Sequence, residues 1–295
     1  MSFPNFLDLK FLPVKEAEAI ILPIPYEATT TYGSGTRHAP EAILAASRQV
    51  ELWDEEDCWD PSAAIRIATV SPLTAEVSGP KDMLDKIRKN VQSWVAQGKT
   101  VLALGGEHTV TCALVQSVQT KYPDLTIVAL DAHADMRDSY DGSKLSHACA
   151  LKRVYDLGRP LTTLGVRSYS QEESQLAWVA PRYTMFKAKD LHSPEGWERA
   201  LDHLQKISGP VYVSIDADVF DPAILPGVGT PEPGGLSYYQ VLTLIKTVAQ
   251  RGPVVGLDLV EVSPIPGHRV SEFTAARVLY KALGYMYLSR RAGNQ

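Results

Sequence analysis

Short apolar runs and longer amphipathic stretches succeed one another along this chain. Six runs read as strands, at 19–22, 101–104, 126–130, 161–166, 211–215 and 253–258. Each is nearly continuous in Val, Ile, Leu and Ala rather than alternating in and out, the pattern of strands buried on both faces. Between them the spacing turns helical. In 82–97 the residues Leu84, Ile87, Val91, Trp94 and Val95 share one face, and Gly98 closes the stretch. Helices are likewise predicted at 40–47, 109–122, 147–157, 194–207, through Leu242, Ile245 and Val248, and at 272–285. Strand alternating with helix predicts a parallel sheet covered by helices on both faces, an α/β fold. No Gly/Ser linker, repeat or low-complexity tract divides the sequence, so 1–295 reads as one domain.

The strand ends change the picture from architecture to chemistry. The run at 126–130 closes in Asp131, His133 and Asp135, and residues two apart in an extended segment project to one side. The run at 211–215 leads into Asp216 and Asp218, and the run at 101–104 into Gly105-Gly106-Glu107-His108. Acids at strand ends often cap the next helix, but three such tips with alternate-residue spacing point to a shared site. Four carboxylates packed together without counter-charge are prohibitively costly to bury. Two divalent cations neutralise them. Aspartate and histidine without cysteine favour Mn2+, with Ni2+, Co2+, Fe2+ and Zn2+ as alternatives.

Composition excludes more than it assigns. The net charge of −5 comes without a basic stripe, which argues against a nucleic-acid partner. No apolar stretch reaches membrane-spanning length, and the N-terminus lacks the charged and apolar segments of a signal peptide. The three cysteines, Cys58, Cys112 and Cys149, are odd in number and widely spaced. They fit neither a disulfide framework nor a zinc site, and a cytoplasmic protein is expected. Two polar, glycine-containing loops, 136–146 and 222–235, follow ligand-bearing strands and are expected to line the pocket.

Leu104-Gly105-Gly106-Glu107-His108-Thr109-Val110, Leu130-Asp131-Ala132-His133-Ala134-Asp135 and the segment from Ser214 to Pro222 resemble the three signatures of the ureohydrolases, the arginase and agmatinase relatives. Gly35 to Pro40 and Gly256 to Pro264 are also similar. Ala39 and Ala217 depart from the usual pattern, away from ligand positions. The resemblance implies a three-layer α/β/α sandwich of the arginase–deacetylase type, with a central parallel sheet of about eight strands. It implies His108, Asp131, Asp135 and Asp216 around one metal, and Asp131, His133, Asp216 and Asp218 around a second, with two Mn2+ per subunit. It further implies a homo-oligomer, trimer or hexamer.

The same resemblance implies a reaction. Water held between two metals, its pKa lowered toward ~7, would attack the carbon of a guanidinium and release urea and an amine. Asp135 would pass the proton to the leaving amine, His147 would shuttle protons, and Glu261 would pair with the guanidinium fork. The loop ending in Leu145-Ser146-His147 looks like that of agmatinases rather than arginases. Agmatine, a small cationic guanidino compound giving putrescine in polyamine biosynthesis, is the expected substrate. Asp138, Asp141 or Glu232 would receive its distal amine. Arg137 or Lys144 would instead suit an acidic substrate such as guanidinobutyrate or guanidinopropionate, and free guanidine is a further alternative. Retention of every ligand, of His147 and of Glu261 weighs against a non-catalytic regulatory relative.

Overall fold

The computed structural model describes residues 3–292. Eight strands form one sheet: β1 (Ala19–Pro23), β2 (Ile67–Thr69), β3 (Thr100–Leu104), β4 (Thr126–Leu130), β5 (Leu161–Val166), β6 (Tyr183–Lys187), β7 (Val211–Asp216) and β8 (Val254–Val260). Their order is β2-β1-β3-β8-β7-β4-β5-β6, and every neighbouring pair is parallel. The six strands read from apolar runs are the six inner ones. The remaining two are the edges. An edge strand has one open side, so it need not be apolar throughout. β2 is three residues long, and β6 is half-exposed over most of its length.

Successive residues of each inner strand enter opposite layers, as strand geometry requires. Leu102, Leu104, Val128, Leu130, Val213, Ile215, Leu257 and Leu259 pack under the helices Ala39–Ser47, Pro194–Gln205, Tyr238–Arg251 and Val270–Ala292. Val101, Ala103, Ile127, Ala129, Tyr212 and Val255 pack under Pro80–Ala96, Val110–Gln119 and Ala150–Tyr155 on the other face. The result is the three-layer sandwich. Helix Pro80–Ala96 buries Leu84, Ile87, Val91 and Val95 of the stripe that its spacing predicts, with Met83 in addition, while Trp94 is half-buried. No helix among the described residues is long and apolar enough to cross a membrane.

The four central strands, β3, β8, β7 and β4, have their carboxyl ends side by side. In open parallel sheets ligands bind beyond those ends.

Candidate metal centre and active site

Asp131 directly follows β4 and stays pinned to the sheet, its N–H donating to the Leu164 carbonyl at 3.0 Å. His133 forms an isolated bridge with Ser168. The extended alternation does not run on to Asp135, however. Its φ of 49° is left-handed, a conformation more accessible to Asp than to most side chains. Asp216 is the last residue of β7, and Asp218 lies in the 3-10 turn Ala217–Val219, its N–H donating to Asp216 Oδ1 at 3.0 Å. Thus alternate spacing picks out these residues, but two tight backbone bends bring them together. On the third tip Gly106 crosses the backbone of Tyr26 so closely that a Cβ would stand 2.0 Å from the Tyr26 carbonyl oxygen. That approach sets the path into His108.

The six residues converge. His108 Nδ1 lies 3.0 Å from Asp135 Oδ2 and 3.3 Å from both Asp131 Oδ2 and Asp216 Oδ2. His133 Nδ1 lies 2.9 Å from Asp218 Oδ2 and 3.8 Å from Asp131 Oδ1. Two groups able to hold a metal result, His108–Asp131–Asp135 and Asp131–His133–Asp218, with Asp131 common to both.

Electrostatics fits the donor set to cations. Burial and the neighbouring carboxylates push Asp131 up to about 7, and raise Asp216 well above the usual range. Against the effect of burial, the Asp218 carboxylate lifts His133 to about 10, and Asp131 and Asp135 hold His108 high. Protons thus stand in for positive charge that the cluster lacks. Asp131 Oδ2, fully buried, has no hydrogen-bond partner among the described residues. A buried carboxylate oxygen that makes no hydrogen bond yet stands 3.3 Å from the His108 ring nitrogen suits a divalent ion.

A supporting layer holds these donors. His108 Nε2 is 3.1 Å from Ser214 Oγ, whose hydroxyl donates to Asp258 Oδ1 at 2.7 Å; Tyr212 donates to the other oxygen at 2.6 Å. Ser214 and Asp258 are partners across the β7–β8 ladder. With the Ser214 proton committed to a carboxylate, its oxygen accepts from Nε2–H and leaves the Nδ1 lone pair to the cluster. Sequence reasoning did not select Ser214 or Asp258, although an aspartate inside the apolar run 254–260 is a signal, since a lone buried acid needs a partner. The Ala132 N–H donates to Asp218 at 3.0 Å and the His133 N–H to Asp131 at 2.6 Å, so the tips also brace one another.

A cavity of about 300 Å³ opens onto this centre, walled by His133, Asp135, Asp216 and Asp218 together with His147 and Glu261. Glu261, just beyond β8, has a left-handed φ of 62° and accepts the His108 N–H at 2.6 Å. Burial, with the Glu107 charge nearby, pushes its carboxyl up to about 8. Both loops expected to line the pocket contribute walls, 136–146 through Arg137 and Tyr140, and 222–235 through Thr230 and Glu232. Of the three acids expected at the mouth, only Glu232 lines the cavity. Asp138 is exposed and paired with Arg153 and Lys144, at 2.8 and 3.0 Å, and Asp141 is exposed in the turn formed by Tyr140 and Ser143. Lys144, so engaged, is likewise absent from the wall. Arg137 lines it but lies over the Tyr140 ring, 4.9 Å from its centre, and 3.6 Å from Glu173. Arg167, also unselected from sequence, donates to the carbonyls of Asp218 and Glu232 at 2.6 and 2.8 Å, tying the 222–235 loop to the ligand turn. Cys149 is buried, and burial pushes its thiol up, which disfavours a thiolate nucleophile.

Residues 17–284 match the model of the Arginase family. The chain belongs to the arginase family. It is 39% identical to the N(1)-aminopropylagmatine ureohydrolase of Synechocystis sp., over 94% of this chain and 91% of that protein. It is 33% identical to the agmatinase of Pyrococcus horikoshii, over 94% and 95% of the respective chains. Among solved structures, the agmatine ureohydrolase of Thermoplasma volcanium superposes with a TM-score of 0.88 at 29% identity, covering 99% of this chain and 97% of that one. The protein is a hydrolase of C–N bonds in amidines, and the family uses a pair of metal ions.

Proposed function

We propose that this member of the family hydrolyses agmatine to putrescine and urea with two Mn2+ ions held by His108, Asp131, His133, Asp135, Asp216 and Asp218. The observation that carries the reading is the pair of ligand groups sharing Asp131 on the floor of a cavity that Glu261 and His147 also line. Divalent ions held by these residues would neutralise the aspartates and supply an acidified water for attack on carbon. Glu261 takes the planar guanidinium by paired hydrogen bonds. Asp135, at the edge between cluster and cavity, takes the proton of the attacking oxygen and passes it to the leaving nitrogen. His147 carries the other proton, the one lost when the attacking water ionises, to solvent or to the departing amine. Glu232 is the acid in the wall left to receive the distal ammonium, since Glu173 is occupied by the N–H groups of Met136 and Ser170 at 2.9 and 2.7 Å.

A longer polyamine, N1-aminopropylagmatine, is the second reading, favoured by the name of the Synechocystis relative. Tyr140 and Tyr169 in the wall give such a chain apolar surface to lie on. The thiols Cys58, Cys112 and Cys149 are free, in keeping with a cytoplasmic enzyme. We further propose a single catalytic domain over 1–295 and a trimer or hexamer of this chain.

Urea release by Mn2+-reconstituted protein tests the reading, with agmatine, N1-aminopropylagmatine, arginine, guanidinobutyrate, guanidinopropionate and guanidine side by side. Agmatine is expected to give the highest kcat/KM. Preference for an acidic substrate would overturn the assignment of Glu232, and silence on all six with both metals bound would overturn the hydrolytic reading.

A further inference from the structure

His147 begins a 3-10 turn at the end of the 136–146 loop, yet its anchor comes from the other end of the chain. Its N–H donates to Thr29 Oγ1 at 2.9 Å, and its Nδ1 lies 3.4 Å from that same oxygen. Thr29 is itself held by Glu107, a fully buried carboxylate. Glu107 Oε2 accepts the N–H groups of Ala28 and Thr29, each at 2.6 Å, and Oε1 accepts the Thr29 hydroxyl at 2.9 Å.

We propose that Glu107 and Thr29 set the tautomer of His147, keeping the neutral ring protonated on Nδ1 with its lone pair on Nε2. A carboxylate that already takes two N–H donors can only accept, so the single Thr29 proton goes to Glu107. The Thr29 oxygen is then confined to accepting. A ring with a bare Nδ1 would set lone pair against lone pair, whereas Nδ1–H completes the bond. Ser146 Oγ, the other neighbour of Nδ1, is also 3.4 Å away and is a free rotor that accommodates either form. Thr29 therefore decides. His147 Nε2 makes no hydrogen bond among the described residues, and the ring lines the cavity. The tautomer leaves Nε2 as the atom that takes and returns the proton. Glu107 and Thr29 are positioning residues, and their catalytic consequence rests on the shuttle role proposed for His147.

The test is a long-range 1H–15N correlation on protein labelled with 15N-histidine, loaded with diamagnetic Zn2+, at a pH where His147 is neutral. Its signals are assigned by their loss in His147→Ala. The native ring is expected to show a protonated Nδ1 and a bare Nε2. Thr29→Val moves it toward Nε2–H, and Thr29→Ser retains the native form. Glu107→Gln, whose amide N–H can donate to Thr29 and free its proton, also moves it toward Nε2–H. With Mn2+, Thr29→Val is expected to lower kcat about tenfold with KM within about twofold. A native ring protonated on Nε2, or an unchanged ring in folded Thr29→Val, overturns the inference. Undiminished turnover in His147→Ala instead overturns the shuttle role, and the tautomer measurement stands apart from that result.

Discussion

Glu261 Oε1 accepts the backbone N–H of His108 at 2.6 Å, so the acid proposed to hold the guanidinium is fastened to a proposed metal ligand 153 residues away. Its own N–H donates to the Gly106 carbonyl at 2.8 Å, closing a short ring between the two strand tips. The proposed metal and substrate positions therefore rest on the same few atoms. Glu261→Gln keeps the size and removes the charge. Loss of a desolvated charge pair costs about 2–5 kcal/mol, so kcat/KM is expected to fall about 30-fold or more. Metal content, measured by elemental analysis, should stay at the parental value; a parallel loss of metal would make Glu261 a support of the centre rather than a substrate contact.

Ser214→Ala breaks the link between Asp258 and His108. The free ring can then rotate or protonate on Nδ1, and metal affinity is expected to drop about 10–100-fold. Competition titration with a metal-sensitive dye measures it. Unchanged affinity would mean that the carboxylates alone orient His108.

Chelation is expected to abolish urea release, and added Mn2+ to restore it. The metal-free protein should also show an unusual pH dependence. Asp131 and Glu261 have folded values of about 7 and about 8, above those of an unfolded carboxylate. Across about pH 4 to pH 8 the folded state thus binds more protons than the unfolded one, and stability falls as pH rises. His133, at about 10, extends the decline upward in the same sense. Asp218, lowered to about 2 by His133 against the effect of burial, adds stability that is already complete above about pH 4. Chemical denaturation of metal-free protein should lose about 2 kcal/mol or more between about pH 5 and pH 8. The metal-loaded protein should not, and an equal decline in both would clear the ligand cluster as its cause.

Arg167→Ala removes the guanidinium that joins the carbonyls of Asp218 and Glu232. The loop it ties down carries Thr230 and Glu232 into the wall, so KM for agmatine is expected to rise about tenfold with a smaller change in kcat. Limited proteolysis should cut 222–235 faster in the variant. A loop that stays resistant would show that Asp221, which accepts the N–H groups of Ala223, Gly234 and Gly235 at 3.0 Å each, suffices to hold it.

What could be read from sequence follows from the range of each interaction. Inner strands announce themselves because both faces are buried; β2 and β6 do not, because an edge strand meets fewer neighbours. The spacing of Asp131, His133 and Asp135 marks a site even though the left-handed turn at Asp135 is invisible in it. Asp138 and Glu232 look alike in sequence, as acids in loops after ligand strands. Only the fold separates them, giving Asp138 to Arg153 and Lys144 on the surface and turning Glu232 inward. The contact between Thr29 and His147 spans 118 residues, and no local pattern encodes it.

The sheet order carries a consequence for how the protein comes into being. All six proposed ligands have been synthesised once Asp218 is added, yet β8 lies between β3, which leads to His108, and β7, which ends in Asp216. Until 254–260 inserts, a strand's width is missing from the middle of the sheet, and the two halves of the cluster have no fixed distance between them. The group of Asp131, His133 and Asp218 comes from the neighbouring strands β4 and β7, whereas the group that includes His108 is complete only once β8 is in place. Closure of the sheet by one of its last segments thus fixes His108 against the aspartates of β4 and β7 and completes the second proposed ion position.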